Sequence, residues 1–422
     1  MPAAMAGLRG GKIGSRKDRS EVDFSLDLIS GRLNSDQIRA HVIHERAPKT
    51  VTLVVNNSCN LACRHCYLQV EKLTAGALRV EEWERLSSSI LDTAPELICL
   101  SGKEVFLGKT GPAVIKFLAA QRAAGRGATR LGVITNGTLI EPHYDLIEQA
   151  DFSYFDISID GIEEDHDAVR GQGAFAQLAP NLSWASRTLG KRLFVSQTFQ
   201  RRNFQNFVKT VAMLDQFGVE NIGCGFYRPL AYTDQSLTLS APEIDEVFSG
   251  LSKLESIELD SPKVILFELD TVQMTALSAF FRSRWFDANA IISDENGNLY
   301  LEHELKNGLK LQFRFSLTPS LVFDSSRITP EGNYLAADDT IDTSKYARYS
   351  LGNVRDYGFD FPALHRAGAR SGRLVEILDN YLEFTLPLLQ REFTATMGLK
   401  DVASPIQTLK TPSHSQSLNY VK

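Results

Sequence analysis

The sequence predicts an α/β protein built on a parallel β-sheet. Between about residues 50 and 228, six short apolar runs alternate with segments of helical periodicity. Each helix must cross back over the sheet before the next strand begins, so this alternation predicts parallel strands. The composition, 23% charged and 43% hydrophobic, is typical of a globular protein, and 422 residues suffice for two or three structural units.

The apolar runs and the periodic segments between them give the expected order of elements. The predicted strands are Val51–Val55, Glu96–Leu100, Arg130–Ile134, Phe152–Ile159, Leu193–Phe199 and Asn221–Tyr227, and the predicted helices are Val80–Leu91, Pro112–Ala124, Pro142–Gln149, Ala174–Leu189 and Phe204–Phe217. Functional side chains in parallel β/α proteins lie beyond the carboxyl ends of the strands. We therefore expect the active site at that edge.

After Pro229 the alternation is expected to stop, and the remaining segments predict an α+β arrangement. The expected elements are a linker and helix over Leu237–Leu259, a helix over Gln273–Trp285, hairpins around the turns 294–298 and 329–333, and an amphipathic helix over Ser371–Phe393.

The bulk charge and hydropathy exclude several classes of function. A net charge of −6 gives no general attraction to nucleic acid or to anionic membranes. No apolar stretch is long enough to cross a bilayer, and residues 1–20 lack the hydrophobic centre of a secretory signal. We expect a cytoplasmic protein without nucleic-acid or membrane partners.

Three cysteines lie on one short loop directly after the first predicted strand. Cys59, Cys63 and Cys66 have the spacing Cys-x3-Cys-x2-Cys, which can bind three irons of a cubane cluster and leaves the fourth iron open to a cofactor or substrate. Structural zinc would need a fourth ligand, and the adjacency of His65 to Cys66 makes shared tetrahedral ligation awkward. A disulfide is disfavoured by the odd total of 5 Cys and the missing signal peptide. Zinc and unligated thiols remain the alternatives.

The cysteine loop and its place after the first strand resemble the radical S-adenosylmethionine (SAM) enzymes over about residues 50–228. The resemblance implies a partial (β/α)6 barrel with one 4Fe–4S cluster and SAM bound at the open iron. In that family an electron enters the sulfonium and releases a 5′-deoxyadenosyl radical, which abstracts hydrogen from a C–H bond. An electron donor such as flavodoxin or ferredoxin is then also expected.

The segment after the second strand supports this resemblance with one departure. The sequence Ser101-Gly102-Lys103-Glu104 stands where the family usually carries Gly-Gly-Glu. The resemblance assigns Gly102 and Glu104 to the methionine end of SAM, with the carboxylate on the ammonium group. Lys103 departs from the family pattern.

Polar residues also end the third and fourth strands, in family order. Asn136 follows the third strand, and alternation places Asp156, Ser158 and Asp160 on one face of the fourth. Buried polar residues need partners, and the resemblance implies that Asn136, Ser158 and Asp160 contact the ribose and carboxylate of SAM. The run from Ser158 through Gly171 is similar to the subgroup of sulfatase-maturing enzymes and peptide modifiers.

Two residues near the last strand of the six are weaker candidates. Arg228 directly follows the strand and could bind a substrate carboxylate. Cys224 lies between two glycines; it is either a hydrogen-atom donor facing the cavity or a packed thiol. Arg201 and Arg202, after the fifth strand, are either substrate ligands or surface arginines, and Cys99 is expected to pack as a small buried residue.

The C-terminal part resembles a SPASM/twitch domain that has lost its metal sites. Ala336 and Ala337 stand where that domain would carry a cysteine, and no cysteine follows Cys224. The expected units are an N-terminal extension at 1–49, the barrel at 50–228, a helical connector at 229–289, the degenerate SPASM/twitch-like domain at 290–400 and a tail at 401–422.

The leading functional hypothesis is radical modification of a ribosomally made precursor peptide. The first alternative is radical chemistry on a small-molecule sugar or amino acid. A non-catalytic peptide-binding barrel with a structural metal is the alternative of a different class. With a single cluster, redox-neutral outcomes such as epimerisation are favoured over net oxidation.

Overall fold

The structure, a computed structural model, describes residues 24, 27–43, 47–68, 76–126, 128–230, 232–269, 291–293, 299–315, 325–335 and 349–396. The strands are β1 Thr50–Val54, β2 Leu97–Ser101, β3 Arg130–Thr135, β4 Tyr154–Ser158, β5 Leu193–Phe199, β6 Asn221–Phe226, β7 Val264–Leu269, β8 Ile291–Ser293, β9 Leu299–Glu304, β10 Lys310–Phe315, β11 Ser325–Ile328, β12 Asn333–Leu335 and β13 Ser350–Asn353. The α-helices are α1 Ser35–Val42, α2 Val80–Leu91, α3 Thr110–Ala123, α4 Tyr144–Ala150, α5 Glu163–Arg170, α6 Ala174–Leu189, α7 Phe207–Gln216, α8 Ala241–Gly250, α9 Phe361–Ala369, α10 Gly372–Asn380 and α11 Leu386–Thr396.

The predicted α/β fold is confirmed. Strands β1 to β6 are consecutive neighbours in one sheet, and every pair among them is parallel. Helices α2 and α6 begin and end at the residues expected from the hydrophobic periodicity. The sheet is open, with β13 at one edge and β8 at the other, as expected for a partial barrel with a C-terminal extension.

The expectation that the alternation stops after Pro229 is wrong. Helix α8 leads into β7, which pairs in parallel with β6 and extends the same sheet. Strand β7 reads Val-Ile-Leu-Phe-Glu-Leu and is apolar at every position except Glu268, a pattern typical of a strand buried on both faces. Strand β10 then adds a further parallel neighbour beside β7.

The C-terminal hairpins extend both edges of this sheet. Strands β8 and β9 form an antiparallel pair beyond β10, and the antiparallel pair β11–β12 joins the other edge, with β11 parallel to β1. Both predicted hairpin pairings are thereby confirmed. The turn 294–298, the helix over Gln273–Trp285, the residues Ala336 and Ala337 and the tails at 1–20 and 401–422 lie outside the described residues.

The last predicted helix is present in three parts. Helix α10, a π-helical turn over Tyr381–Thr385 and α11 follow one another from Gly372 to Thr396. None of the helices in the described ranges has the length and apolar character needed to cross a membrane.

Alternation along the strands gives the sheet two different faces. One face packs against the helices in the main core, where Leu53, Val133 and Val195 meet Trp83 and Leu182. The opposite face, which we call the inner face, carries a separate small cluster of Tyr154, Phe194, Leu266 and Tyr300. Successive side chains of a strand point to opposite faces of the sheet. A polar residue of a central strand therefore faces either the helices or the inner face, and the residues two positions before and after it face the same way.

Candidate functional site

The cysteine loop lies at the carboxyl edge of the sheet, immediately after β1. Cys63 is buried, Cys59 and Cys66 are partly exposed, and none of the three forms a disulfide. The Cys66 amide donates to the Cys63 carbonyl over 3.1 Å, and the Arg64 amide donates to Val169 of α5 over 2.9 Å. These bonds tie the loop to the helix that follows β4.

Two hydrogen-bond donors point at the sulfur of Cys59. The Leu61 amide lies 3.4 Å and the Asn136 Nδ2 3.6 Å from Cys59 Sγ. Asn136 also donates to Asn60 Oδ1 over 3.0 Å, which fixes the end of β3 against the loop. Hydrogen bonds to ligand sulfur orient the ligands of iron–sulfur clusters and tune their electronics. The donor set therefore fits a metal-bound thiolate at Cys59.

Burial raises the pKa of each thiol, and nearby cations partly oppose the effect. The pKa of Cys63 is raised to about 11, mainly by desolvation, while Arg170 acts to lower it. Burial likewise raises the pKa of Cys66, against the opposing charges of Lys103 and Arg170. The free thiols are thus protonated at neutral pH, and binding of iron must release their protons.

The three thiols supply the type of donor that a cubane cluster needs. Among the described residues, no group of three His, Cys, Asp or Glu side chains is arranged to hold a single metal ion. A cubane does not need that arrangement, because each of its thiolates binds a different iron.

The Glu104 carboxylate links the segment after β2 to the end of β3, and its oxygens already accept hydrogen bonds from the protein. Its carboxylate is fully buried and accepts hydrogen bonds from the Phe106 amide (3.0 Å), the Thr135 hydroxyl (2.7 Å) and the Asn136 amide (2.8 Å). Three donors hold the segment after β2 against the end of β3. Desolvation raises the pKa of Glu104, although these donors oppose the shift. If Glu104 contacts the SAM ammonium group as expected, that group must bind a carboxylate that already accepts three hydrogen bonds from the protein.

Gly102 allows the loops after β1 and β2 to approach closely. Its φ is +153°, and a Cβ built there would lie 3.1 Å from the Asn56 carbonyl oxygen. A side chain at this position would be strained and crowded. The small residue expected from the resemblance is therefore required by the backbone itself.

A buried ion pair joins the end of β4 to the end of α5, beside the cysteine loop. Arg170 Nε donates to Asp160 Oδ2 over 2.6 Å, and both side chains are buried. Burial alone would raise the pKa of Asp160, but Arg170, with His65 and His166, outweighs it and the pKa is lowered. His65 Nε2 lies 3.7 Å from the same carboxylate oxygen. The structure thus brings Asp160 to the site, held by Arg170 beneath the thiols.

The remaining sequence candidates fall into different places. Ser158 ends β4, partly exposed, while Arg228 lies exposed beyond β6. Arg201 pairs with Glu243 at the surface, as in the surface alternative considered for it.

Cys224 does not face the inner side of the sheet. Its side chain is fully buried in the main core, together with Ile222 and Phe226 of the same strand. Alternation therefore turns Cys224 toward the helices and leaves its glycine neighbours on the inner face. This geometry favours the packed thiol over the hydrogen-atom donor. Cys99 is buried as expected.

The sequence reasoning did not single out Arg170 and His65 as parts of the site. A usable signal existed for Arg170, because a carboxylate ending a buried strand needs a cation, and Arg170 follows Asp160 at the end of the next helix. His65 has no such signal, since its position depends on the path of the loop.

Comparisons with known proteins agree with this geometry. The profile of the Radical SAM superfamily matches residues 53–195. The chain is 30% identical over 245 residues to Fe-coproporphyrin III synthase of Methanosarcina barkeri, which covers 55% of this chain and 59% of the relative. It is 24% identical over 143 residues to the antilisterial bacteriocin subtilosin biosynthesis protein AlbA of Bacillus subtilis, which covers 33% of this chain and 31% of AlbA. The chain thus spans less than two thirds of the length of these curated relatives.

Solved structures show the same fold at low identity. SuiB of Streptococcus suis, solved with bound S-adenosylmethionine, has a TM-score of 0.53 at 11% identity, covering 77% of this chain and 68% of SuiB. The native anSMEcpe structure with bound AdoMet has a TM-score of 0.52 at 13% identity, covering 78% of this chain and 82% of anSMEcpe. The family and cofactors expected from the thiol loop are confirmed: the chain carries a domain of the radical SAM superfamily, whose members use a 4Fe–4S cluster and SAM.

Proposed function

We propose that this protein is a radical SAM enzyme that modifies a ribosomally made peptide. The observation that carries the proposal is the set of three thiols on one loop, held at the carboxyl edge of the sheet by Asn136 and by the Arg170–Asp160 pair. When bound, the cluster and SAM would supply a 5′-deoxyadenosyl radical for hydrogen abstraction. The chain's own residues would bind the cluster, exclude water and present the substrate.

Within this proposal the predicted site residues divide into two groups. Cys59, Cys63 and Cys66 would bind the cluster, while the backbone at Gly102 and the partly exposed Ser158 would contact SAM. Glu104, Asn136 and Asp160 would act mainly as positioning residues, because their polar atoms are already engaged with the loops around the site.

The peptide substrate is supported by the kind of protein that this chain resembles. One SuiB structure, with a TM-score of 0.54, contains the precursor peptide SuiA. AlbA is named for the biosynthesis of the bacteriocin subtilosin. The proposal also includes an electron donor such as flavodoxin or ferredoxin and a cytoplasmic location.

A small-molecule substrate is the second candidate. Three curated relatives are named as tetrapyrrole enzymes: Fe-coproporphyrin III synthase, AdoMet-dependent heme synthase and pre-heme d1 synthase, at 30%, 28% and 33% identity. These similarities favour a small-molecule substrate.

One experiment separates these readings. The protein is reconstituted anaerobically with iron and sulfide, reduced in the presence of SAM, and assayed for 5′-deoxyadenosine by mass spectrometry, with a Cys59/Cys63/Cys66→Ala triple variant as the control. We expect production by the wild type alone. Stimulation by a peptide encoded next to the gene would favour the peptide reading, and stimulation by iron-coproporphyrin III would favour the second. No 5′-deoxyadenosine from a fully loaded protein would refute radical chemistry and leave the non-catalytic binding barrel.

A further inference from the structure

The inner face of the sheet holds a buried carboxylate that the cluster site does not use. Asp156 of β4 is 1% exposed. It lies two residues after Tyr154 of the inner-face cluster, so both side chains point to the inner face. Its Oδ2 accepts hydrogen bonds from the Tyr154 hydroxyl and the Ser196 hydroxyl, each at 2.8 Å. Its Oδ1 is buried and has no hydrogen-bond partner in the described ranges.

Other residues of the inner face are partly exposed to solvent. Ile134, Ser158, Thr198 and Glu268 lie on four different central strands, yet each is partly exposed while most of their strand neighbours are buried. Alternation places all four on the inner face, because the residues next to them pack against the helices. Along β4, Asp156 lies between the partly exposed Ser158 and the buried Tyr154, whose ring contacts that of Phe194 with centroids 5.0 Å apart.

The second acidic residue of the inner face is already paired. Glu268 Oε1 lies 3.3 Å from Arg314 Nη1 on the neighbouring strand, and Arg314 is 1% exposed. No ion pair to Asp156 is formed among the residues that the structure describes. A buried carboxylate whose hydrogen bonds come from two hydroxyls is costly to ionise, and a cation from a ligand would offset part of that cost.

We propose that Asp156 binds a protonated amine of the substrate at the inner face. This inference rests on the proposed function, since it names the substrate class for the same active site. A single free oxygen suits the compact charge of an ammonium group, whereas a guanidinium prefers two parallel bonds to both carboxylate oxygens. The pKa of Asp156 is raised to about 6, mainly by burial, against the opposing hydrogen bonds of Tyr154 and Ser196 and the charge of Arg170.

The test measures binding and needs no turnover. Nα-acetyl-lysine methylamide and its neutral counterpart, Nα-acetyl-norleucine methylamide, are titrated calorimetrically into reconstituted enzyme with SAM, for the wild type, Asp156→Asn and Asp145→Asn. Asp145 is an exposed carboxylate on α4 and controls for the change in net charge. Asparagine keeps an acceptor for Ser196, and circular dichroism and SAM affinity report the fold.

We expect the lysine probe to bind the wild type and the Asp145→Asn variant, and to lose about 30-fold or more in affinity in Asp156→Asn. The norleucine probe should bind all three proteins weakly and alike. Equal binding of the two probes by the wild type, no binding of the lysine probe, or a lysine preference that persists in Asp156→Asn would each overturn the proposal. Butylamine binding as tightly as the lysine probe would support the amine site and assign it to a small molecule. Basal 5′-deoxyadenosine formation in the same preparations tests the radical chemistry separately.

Discussion

Replacing Arg170 by Met should destabilise the protein strongly, because it leaves the Asp160 carboxylate buried without its cation. Asp160 is 0% exposed, and Arg170 donates to it over 2.6 Å. Removing one partner of a buried ion pair typically costs about 3–5 kcal/mol, since the other charge stays desolvated. The Thr198 amide, 3.2 Å from Asp160 Oδ1, and His65 reduce the cost of the unpaired Asp160 charge only in part. We therefore expect the free energy of unfolding to fall by about 3 kcal/mol, the lower end of that range.

The assay is urea unfolding of the cluster-free protein, followed by far-ultraviolet circular dichroism at constant pH. Arg201→Met is the matched control, because Arg201 forms a similar pair with Glu243 at the surface, where such pairs contribute about 0–1 kcal/mol. Adding Asp160→Asn to Arg170→Met should restore part of the lost stability, because the unpaired charge is then gone. A loss for Arg170→Met no larger than that of the control would refute the buried-pair argument.

Three further predictions concern the other buried groups. The folded pKa of Asp156, about 6, exceeds the unfolded value of about 3.9, so between these pH values the folded state binds more protons than the unfolded state. The free energy of unfolding should therefore fall by about 2 kcal/mol as the pH rises from about 4 to 6, and Asp156→Asn should remove that slope in pH-dependent urea melts. Glu104→Ala leaves two buried amides and a hydroxyl without their acceptor, so the free energy of unfolding should fall by about 3 kcal/mol in the same melts. A loss below about 1 kcal/mol would contradict the inference that Glu104 holds the segment after β2 against the end of β3. Lys103→Met removes a charge that lowers the pKa of Cys66, so alkylation of Cys66 by iodoacetamide near pH 8 should slow; an unchanged rate, read by peptide mass spectrometry, would show that Lys103 does not act on this thiol.

The parallel strands and the thiol loop could be predicted from the amino-acid sequence because their signals are local. Apolar runs separated by helical periods predict the β/α order, and β5 and α6 begin and end as expected from those periods. The Cys59–Cys66 spacing likewise lies within eight residues of chain, so its ligand geometry depends little on distant parts.

Strand pairing across long separations could not be predicted in this way. Whether β7 continues the sheet, and whether β11 joins β1, depends on which sheet edge is open when the chain returns. A short apolar run is compatible with either a strand or a buried helix segment until its neighbours are known.

The roles of the polar residues were decided only by the tertiary structure. Glu104 and Cys224 each carry a side chain suited to the expected chemistry, yet one carboxylate is occupied by three donors and one thiol faces the helices. The sequence gives the chemical type of each side chain directly, but many of the groups that it contacts come from segments far apart in the chain. Glu104 meets Asn136, and Asp156 meets Ser196, only because the sheet places segments from different parts of the chain side by side.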